Sequence, residues 1–256
     1  MSLQACADLV ARGDGDRFRA TMAAPVAARS VLFPLYAFNI EVSRAPWVTQ
    51  EPLIAEMRLQ FWRDVIEELA QGRPPRAHEV VAPLAQAVPQ GVIGALDTLV
   101  VARRWDIYKE PFADRAAFDA YLNDTAATLV CVAGRALGAP KAAETVLRDA
   151  GWAFGLANFL RAIPALEAAG RLPLVDGRAE AIVDLAGAGL ARLARARVGR
   201  GLVPRAALPA LFAGFRAEAT LRAAQAVPGR VGLGALPVAG LRDSLRLAAI
   251  AATGRW

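Results

Sequence analysis

Apolar residues recur at three- and four-residue spacing along nearly the whole chain, and that regularity confines it to helices packed on helices. The clearest run lies between Thr49 and Gly72, where Ile54, Met57, Phe61, Val65 and Leu69 fall on one face. Thr49 is placed to cap its start, and Gly72 ends it ahead of Pro74 and Pro75. The same spacing predicts helices near 2–12, 16–23, 26–44, 77–87, 92–108, 115–137, 141–169, 179–198, 205–226 and 240–253. Glycines and prolines punctuate them at Gly13, Pro25, Pro46, Pro89, Pro111, Gly138, Gly170, Pro204 and Pro228. Runs of alternating polarity rich in β-branched residues are almost missing, so no sheet is expected and the predicted fold class is all-α.

A length of 256 residues allows one large domain or two small ones. The loop from Pro228 to Gly240 precedes a last helix too short to bury a core of its own, so a single domain over 1–256 is expected. With 55% apolar and 21% charged residues, whole-chain disorder is excluded. The two cysteines, Cys6 and Cys131, show no paired spacing, and there is one histidine, His78. That inventory argues against a disulfide framework, a Cys/His zinc site and iron–sulfur ligation, and it suits a reducing compartment. No apolar run reaches the roughly 18–20 residues of a spanning helix. Asp8, Arg12, Asp14 and Asp16 stand where a signal peptide would be apolar, so a cytoplasmic location is expected.

The formal charge is +6, and every basic residue except Lys109 and Lys141 is arginine. Such a balance leaves room for an anionic partner: a diphosphate, a membrane surface or a nucleic acid. Arg192, Arg195, Arg197 and Arg200 gather at the end of a helix, where they suit its dipole, and no nucleic-acid module accompanies them. Nucleic acid is therefore not an expected partner. His78 follows GRPPRA and reads as structural or solvated, which leaves a serine or cysteine hydrolase without its base. P-loop and dinucleotide fingerprints are missing too.

Residues 16–44, DRFRATMAAPVAARSVLFPLYAFNIEVSR, followed by RLQFWRDVIEEL at 58–69, resemble the start of the squalene/phytoene synthase family. GWAFGLANFLRAIPALEAAGRLPLV at 151–175 is similar to the second signature of that family. WDIYKEPFADRAAFDAYLNDTAATLVCVAGRALG at 105–138 fits its central helices. The similarity covers most of 14–200, with 205–254 completing the bundle. It implies an isoprenoid-synthase fold around an apolar cavity. Active members join two prenyl diphosphates head to head, with Asp-rich motifs on two facing helices holding magnesium. Carboxylates four apart share one helix face. Hard Mg²⁺ takes oxygen ligands that bridge it to phosphates, and without it the departing diphosphate is not neutralised.

Against that pattern, both carboxylate pairs are missing. After LYAFNIEV come Ser43, Arg44, Ala45, Pro46 and Trp47, and after Asn158, Phe159, Leu160 and Arg161 stand Ala162 and Leu166. No metal or cofactor is expected; Mg²⁺ is implied only if the chain is an active enzyme. Asp64 and Glu68, four apart, are the best replacement ligands, with Glu41 and Asp106 behind them. Tyr36 and Phe38, with Phe61, Trp62, Phe154 and Phe159, would either line a prenyl-sized cavity or pack an ordinary core. Asn158, Arg161 and Arg171 match the second signature, where they would flank a diphosphate or else pair internal carboxylates. Arg17 and Arg29, in the first signature, carry the same two readings.

Within the family the chain is most similar to the branch containing the mitochondrial respiratory complex I assembly factor, through FNIEV, YLNDTAATL at 121–129 and GLANFLRAIP. The resemblance implies a non-catalytic assembly or accessory factor that holds a prenyl or lipid ligand or a respiratory-complex client. One alternative is a Mg²⁺-dependent prenyltransferase with a rearranged metal site. Another is a basic adaptor for membrane or nucleic acid. The last helix, Leu241 to Ala252, aligns Leu241, Leu245, Ala248 and Ala249 near Arg242, Arg246, Arg255 and Trp256. That stripe would rest on a membrane surface or close the bundle.

Overall fold

Side-chain caps start the first two helices of the computed structural model, which describes residues 2–49 and 51–256. Ser2 accepts from the Ala5 N–H ahead of α1 (Leu3–Gly13), and Asp14 accepts from the Arg17 N–H ahead of α2 (Gly15–Ala23). α3 (Val26–Arg44) follows Pro25, and α4 (Pro52–Ala70) opens on a proline that has no N–H to leave unpaired. Thr49 was expected to cap α4. It accepts instead from the Glu51 N–H, two residues on, and Glu51 holds the cap position. Gln50 and Met1 lie outside the described residues.

The helix expected from 77 begins later, as α5 (Val81–Ala87), because His78 Nδ1 takes the Val80 N–H in a turn. The stretch expected at 92–108 divides into α6 (Gln90–Ile93), α7 (Leu96–Ala102) and a 3₁₀ turn, Arg103–Asp106. α8 (Arg115–Leu122) runs through a π-helical stretch, Asn123–Ala127, into α9 (Thr128–Ala136). α10 (Glu144–Ala168) and α11 (Ala179–Val198) match their expected spans closely. The stretch from 205 is 3₁₀ over Arg205–Gly214, where Pro209 has no N–H for an α-type bond, and becomes α12 (Ala217–Ala226) only later. A single turn, α13 (Gly229–Gly232), sits in the expected loop before α14 (Leu241–Thr253). No strand occurs among the described residues, and the chain is an all-α, single-domain bundle.

The buried apolar residues form two clusters. One draws on α1, α3, α4, α5 and α7, with Leu35, Phe38, Leu59, Ile66, Leu84 and Leu99 inside. The other draws on α8 to α12, around Phe118, Leu147, Trp152, Leu160, Leu211 and Leu221. α9 serves both, giving Leu129 and Val132 to the first and Val130 and Cys131 to the second. α10 presses on the π-helical stretch through glycines. A Cβ at Gly151 would stand 2.6 Å from Ala127 Cα, and one at Gly155 would stand 2.5 Å from Ala126 Cβ.

Among the described residues no single helix is long and apolar enough to cross a membrane; one pair, bent by 106°, passes by length and composition together. In α14 the bundle is closed by Leu247 and Ile250, while the stripe of Leu241 and Leu245 is exposed.

Candidate functional site

Helical periodicity puts Tyr36, Asn39 and Ser43 on one side of α3, and Gly155, Asn158, Ala162 and Leu166 on one side of α10. From Asn39 and Ser43 outward, these two faces border a cleft of about 390 Å³. That size falls within the roughly 300–1,000 Å³ of small-molecule sites. Arg17, Arg44, Trp47, Arg103, Asp106, Tyr121 and Thr125 complete its walls. A second groove of about 630 Å³ shares Arg17, Asn158 and Ala162 with the first and continues past Arg161 and Arg216 to the loop at 234–239.

Most charges around the cleft are already matched. Arg17 lies 2.5 Å from Asp14, and its guanidinium stacks on the Tyr36 ring at 5.4 Å. Burial pushes the Tyr36 hydroxyl up to about 12, so it stays protonated. Arg103 Nη1 donates to Asp106 Oδ2 at 3.1 Å and to Tyr121 Oη at 2.8 Å, while the Tyr121 hydroxyl donates to Asp106 Oδ1 at 3.0 Å. Burial works against the Arg103 charge, but Tyr121 and Asp106 outweigh it and hold the guanidinium above its usual range. Burial likewise holds the Tyr121 hydroxyl far above the phenol range.

Two groups remain open. Arg44 is exposed at the cleft with no ion-pair or hydrogen-bond partner among the described residues, and Asn39 is only 5% exposed with its side-chain amide unpartnered. In all, three guanidiniums border the cleft against one carboxylate, Asp106.

The residues singled out from the sequence scatter around this cleft. Asn158 borders both cavities, and its Oδ1 accepts from Arg161 Nη1 at 3.5 Å. Arg161 belongs to the second groove, where it lies 3.0 Å from Asp16; Arg216 holds the same carboxylate oxygen at 2.6 Å. Burial raises the Asp16 pKa, but the hydrogen bonds from Arg216 and Arg161 prevail and hold it below the usual carboxylate value.

Phe38 does not reach the cleft. It sits two residues from Tyr36, on the far side of α3, fully buried and edge-on to Trp62 at 5.2 Å. Arg171 is also committed elsewhere. It is buried between the Trp47 and Trp105 rings, at 4.8 and 5.5 Å, and donates to the backbone carbonyls of Asp106, Trp105 and Tyr108. Arg29 closes the α2–α3 turn through the carbonyls of Met22 and Ala24. Phe159 lines the cleft, whereas Phe154 packs on Gly214, and Phe61 and Trp62 pack with His78.

Asp64 and Glu68 are gripped by Arg76, at 3.9 and 2.8 Å, and neither lines the cleft; nor does Glu41. Among the described residues no three His, Cys, Asp or Glu side chains could share a metal ion. The donor set at the cleft does not fit Mg²⁺: its one carboxylate is taken up by Arg103 and Tyr121, and its free cation would repel another. Sequence reasoning missed Asn39 and Arg103 as site residues. The available signal for Asn39 was a lone amide in the apolar run LYAFNIEV, at helical spacing from Tyr36 and Ser43.

An all-α bundle with a cleft between these two signature helices defines the class, and the chain belongs to the squalene/phytoene synthase family, whose profile matches residues 10–176. Among curated proteins it is similar to the NADH dehydrogenase (ubiquinone) complex I, assembly factor 6 homolog of Drosophila melanogaster. The two are 32% identical over 170 residues, which is 62% of this chain and 50% of the fly protein. The Homo sapiens assembly factor 6 is 27% identical over 163 residues, covering 62% and 48%. The chain thus spans about half the length of the curated relatives it matches. Of solved structures, a dehydrosqualene synthase in complex with ligand superposes with a TM-score of 0.78 at 14% identity, covering 98% of this chain and 95% of that one. The squalene synthase HpnC from Alicyclobacillus acidocaldarius gives 0.73 at 16% identity, covering 92% and 95%. At such identities the likeness establishes the fold.

Proposed function

We propose that this protein is a non-catalytic member of its family that serves as an accessory factor in the assembly of a respiratory NADH dehydrogenase complex. The observation that carries the reading is the charge at the cleft. Ionising an allylic diphosphate needs concentrated positive charge on the leaving group, which the family supplies through metal held by carboxylates. Here the cleft offers Arg44 and Ala162 where those carboxylates would stand, and Asp106 is tied to Arg103. A scaffold kept without its metal ligands suits a binding role, and the names of the curated relatives supply the kind of client. Deleting the gene in the source organism tests this. Native gels should show less assembled complex and an accumulated subcomplex, both reversed by the intact gene. Normal assembly in the deletion strain would overturn the reading.

A further inference from the structure

The open groups at the cleft specify a ligand. Of the three guanidiniums on its walls, Arg17 is balanced by Asp14 at 2.5 Å and Arg103 by Asp106 at 3.1 Å. Arg44 has no such partner among the described residues, so the cleft carries about one unmatched positive charge. Asn39, five positions earlier on α3 and only 5% exposed, lines the same cavity with no side-chain hydrogen bond among the described residues. None of its polar atoms is sealed off from solvent, so the amide opens into the cleft, where it can donate to a ligand oxygen. Leu122, Phe159, Ala162 and Leu166 give the remaining wall an apolar strip, among the polar Ser43, Thr125 and Asn158.

We propose that the cleft binds a single-chain amphiphile with one negative charge, a medium-chain carboxylate. Its head is held by the Arg44 guanidinium and the Asn39 amide, and its chain lies along Leu122, Phe159 and Leu166. A planar carboxylate matches a guanidinium fork with two parallel bonds, and its single charge equals the one that is unmatched. A diphosphate would bring at least one negative charge too many, with no metal site to offset it. Binding therefore needs no divalent cation. The inference deepens the proposed function, resting on its metal-free cleft but not on its client.

Calorimetric titration of the full chain with decanoate, in the presence of EDTA, tests it. The uncharged methyl ester of the same chain and farnesyl diphosphate, with and without Mg²⁺, serve as comparisons. Decanoate should bind with one site per chain, the ester at least tenfold more weakly, and added Mg²⁺ should change nothing. Arg44 is exposed, so Arg44→Gln should fold normally and weaken decanoate at least tenfold while leaving the ester unchanged; Asn39→Leu should weaken it by a smaller factor. Equal binding of acid and ester, no effect of Arg44→Gln, or a preference for farnesyl diphosphate with Mg²⁺ would overturn the proposal. Binding failure with complex assembly still dependent on the gene would sink the ligand and spare the accessory role.

Discussion

Arg171 shows how little a side chain's identity says about its task. Its place in the second signature suggests an anion grip, yet its guanidinium faces three backbone carbonyls and two tryptophan rings. It ties the turn after α10 to the 3₁₀ segment that carries Arg103 and Asp106 into the cleft wall. Hydrogen bonds to a charged donor are worth about 1.5–3 kcal/mol, so Arg171→Ala should destabilise the fold by roughly 3 kcal/mol in urea unfolding. A variant as stable as the parent would return Arg171 to the list of free anion-binding groups. From the sequence both tasks were open for Arg171, because its partners are carbonyls more than 60 positions away that no local spacing reveals. Tyr36 and Phe38 make the complementary point. Helical geometry alone sends the pair to opposite sides of α3, so at most one of them could have faced the cleft, and neither lines it: Tyr36 is buried beneath the Arg17 guanidinium.

At the scale of elements, Glu218 on α12 gathers Arg197 of α11 at 2.7 Å, Arg246 of α14 at 2.8 Å and Arg222 of its own helix at 2.9 Å. The bond from Arg197 does most to hold its carboxyl down, at about 2 against the usual 4.5. In the folded chain that group stays ionised where the unfolded chain has taken up a proton. Its stabilisation is therefore complete above about pH 4.5 and is lost as pH falls from there toward 2. Thermal melts across this window should show the parent falling steeply and Glu218→Gln falling less; parallel curves would contradict the assignment. The periodic pattern anticipated most helices because each reports its own buried face. It failed at 92–108, which breaks at Gly94 and Ala95, and at 205–226, where Pro209 lies in a 3₁₀ run, because neither break interrupts the apolar stripe.

For the whole molecule, the class of fold was legible because three- and four-residue spacing leaves little but helices to pack, and the family because its two signatures keep their order. The cleft was not legible as an object. Its walls come from α2, α3, the 3₁₀ turn, α8, the π-helical stretch and α10, and Gly155 on its lining lets α10 approach that stretch. The missing carboxylate pairs are an expectation from the sequence; among the described residues no group of three His, Cys, Asp or Glu side chains is placed to hold a metal ion. The proposed non-catalytic role requires a cleft that does not grip metal. Release of pyrophosphate from farnesyl diphosphate, followed with the purified full chain in excess Mg²⁺, tests it most directly. The prediction is a rate no different from a protein-free control. Turnover at even a modest enzymatic rate, about 1 s⁻¹, would contradict it.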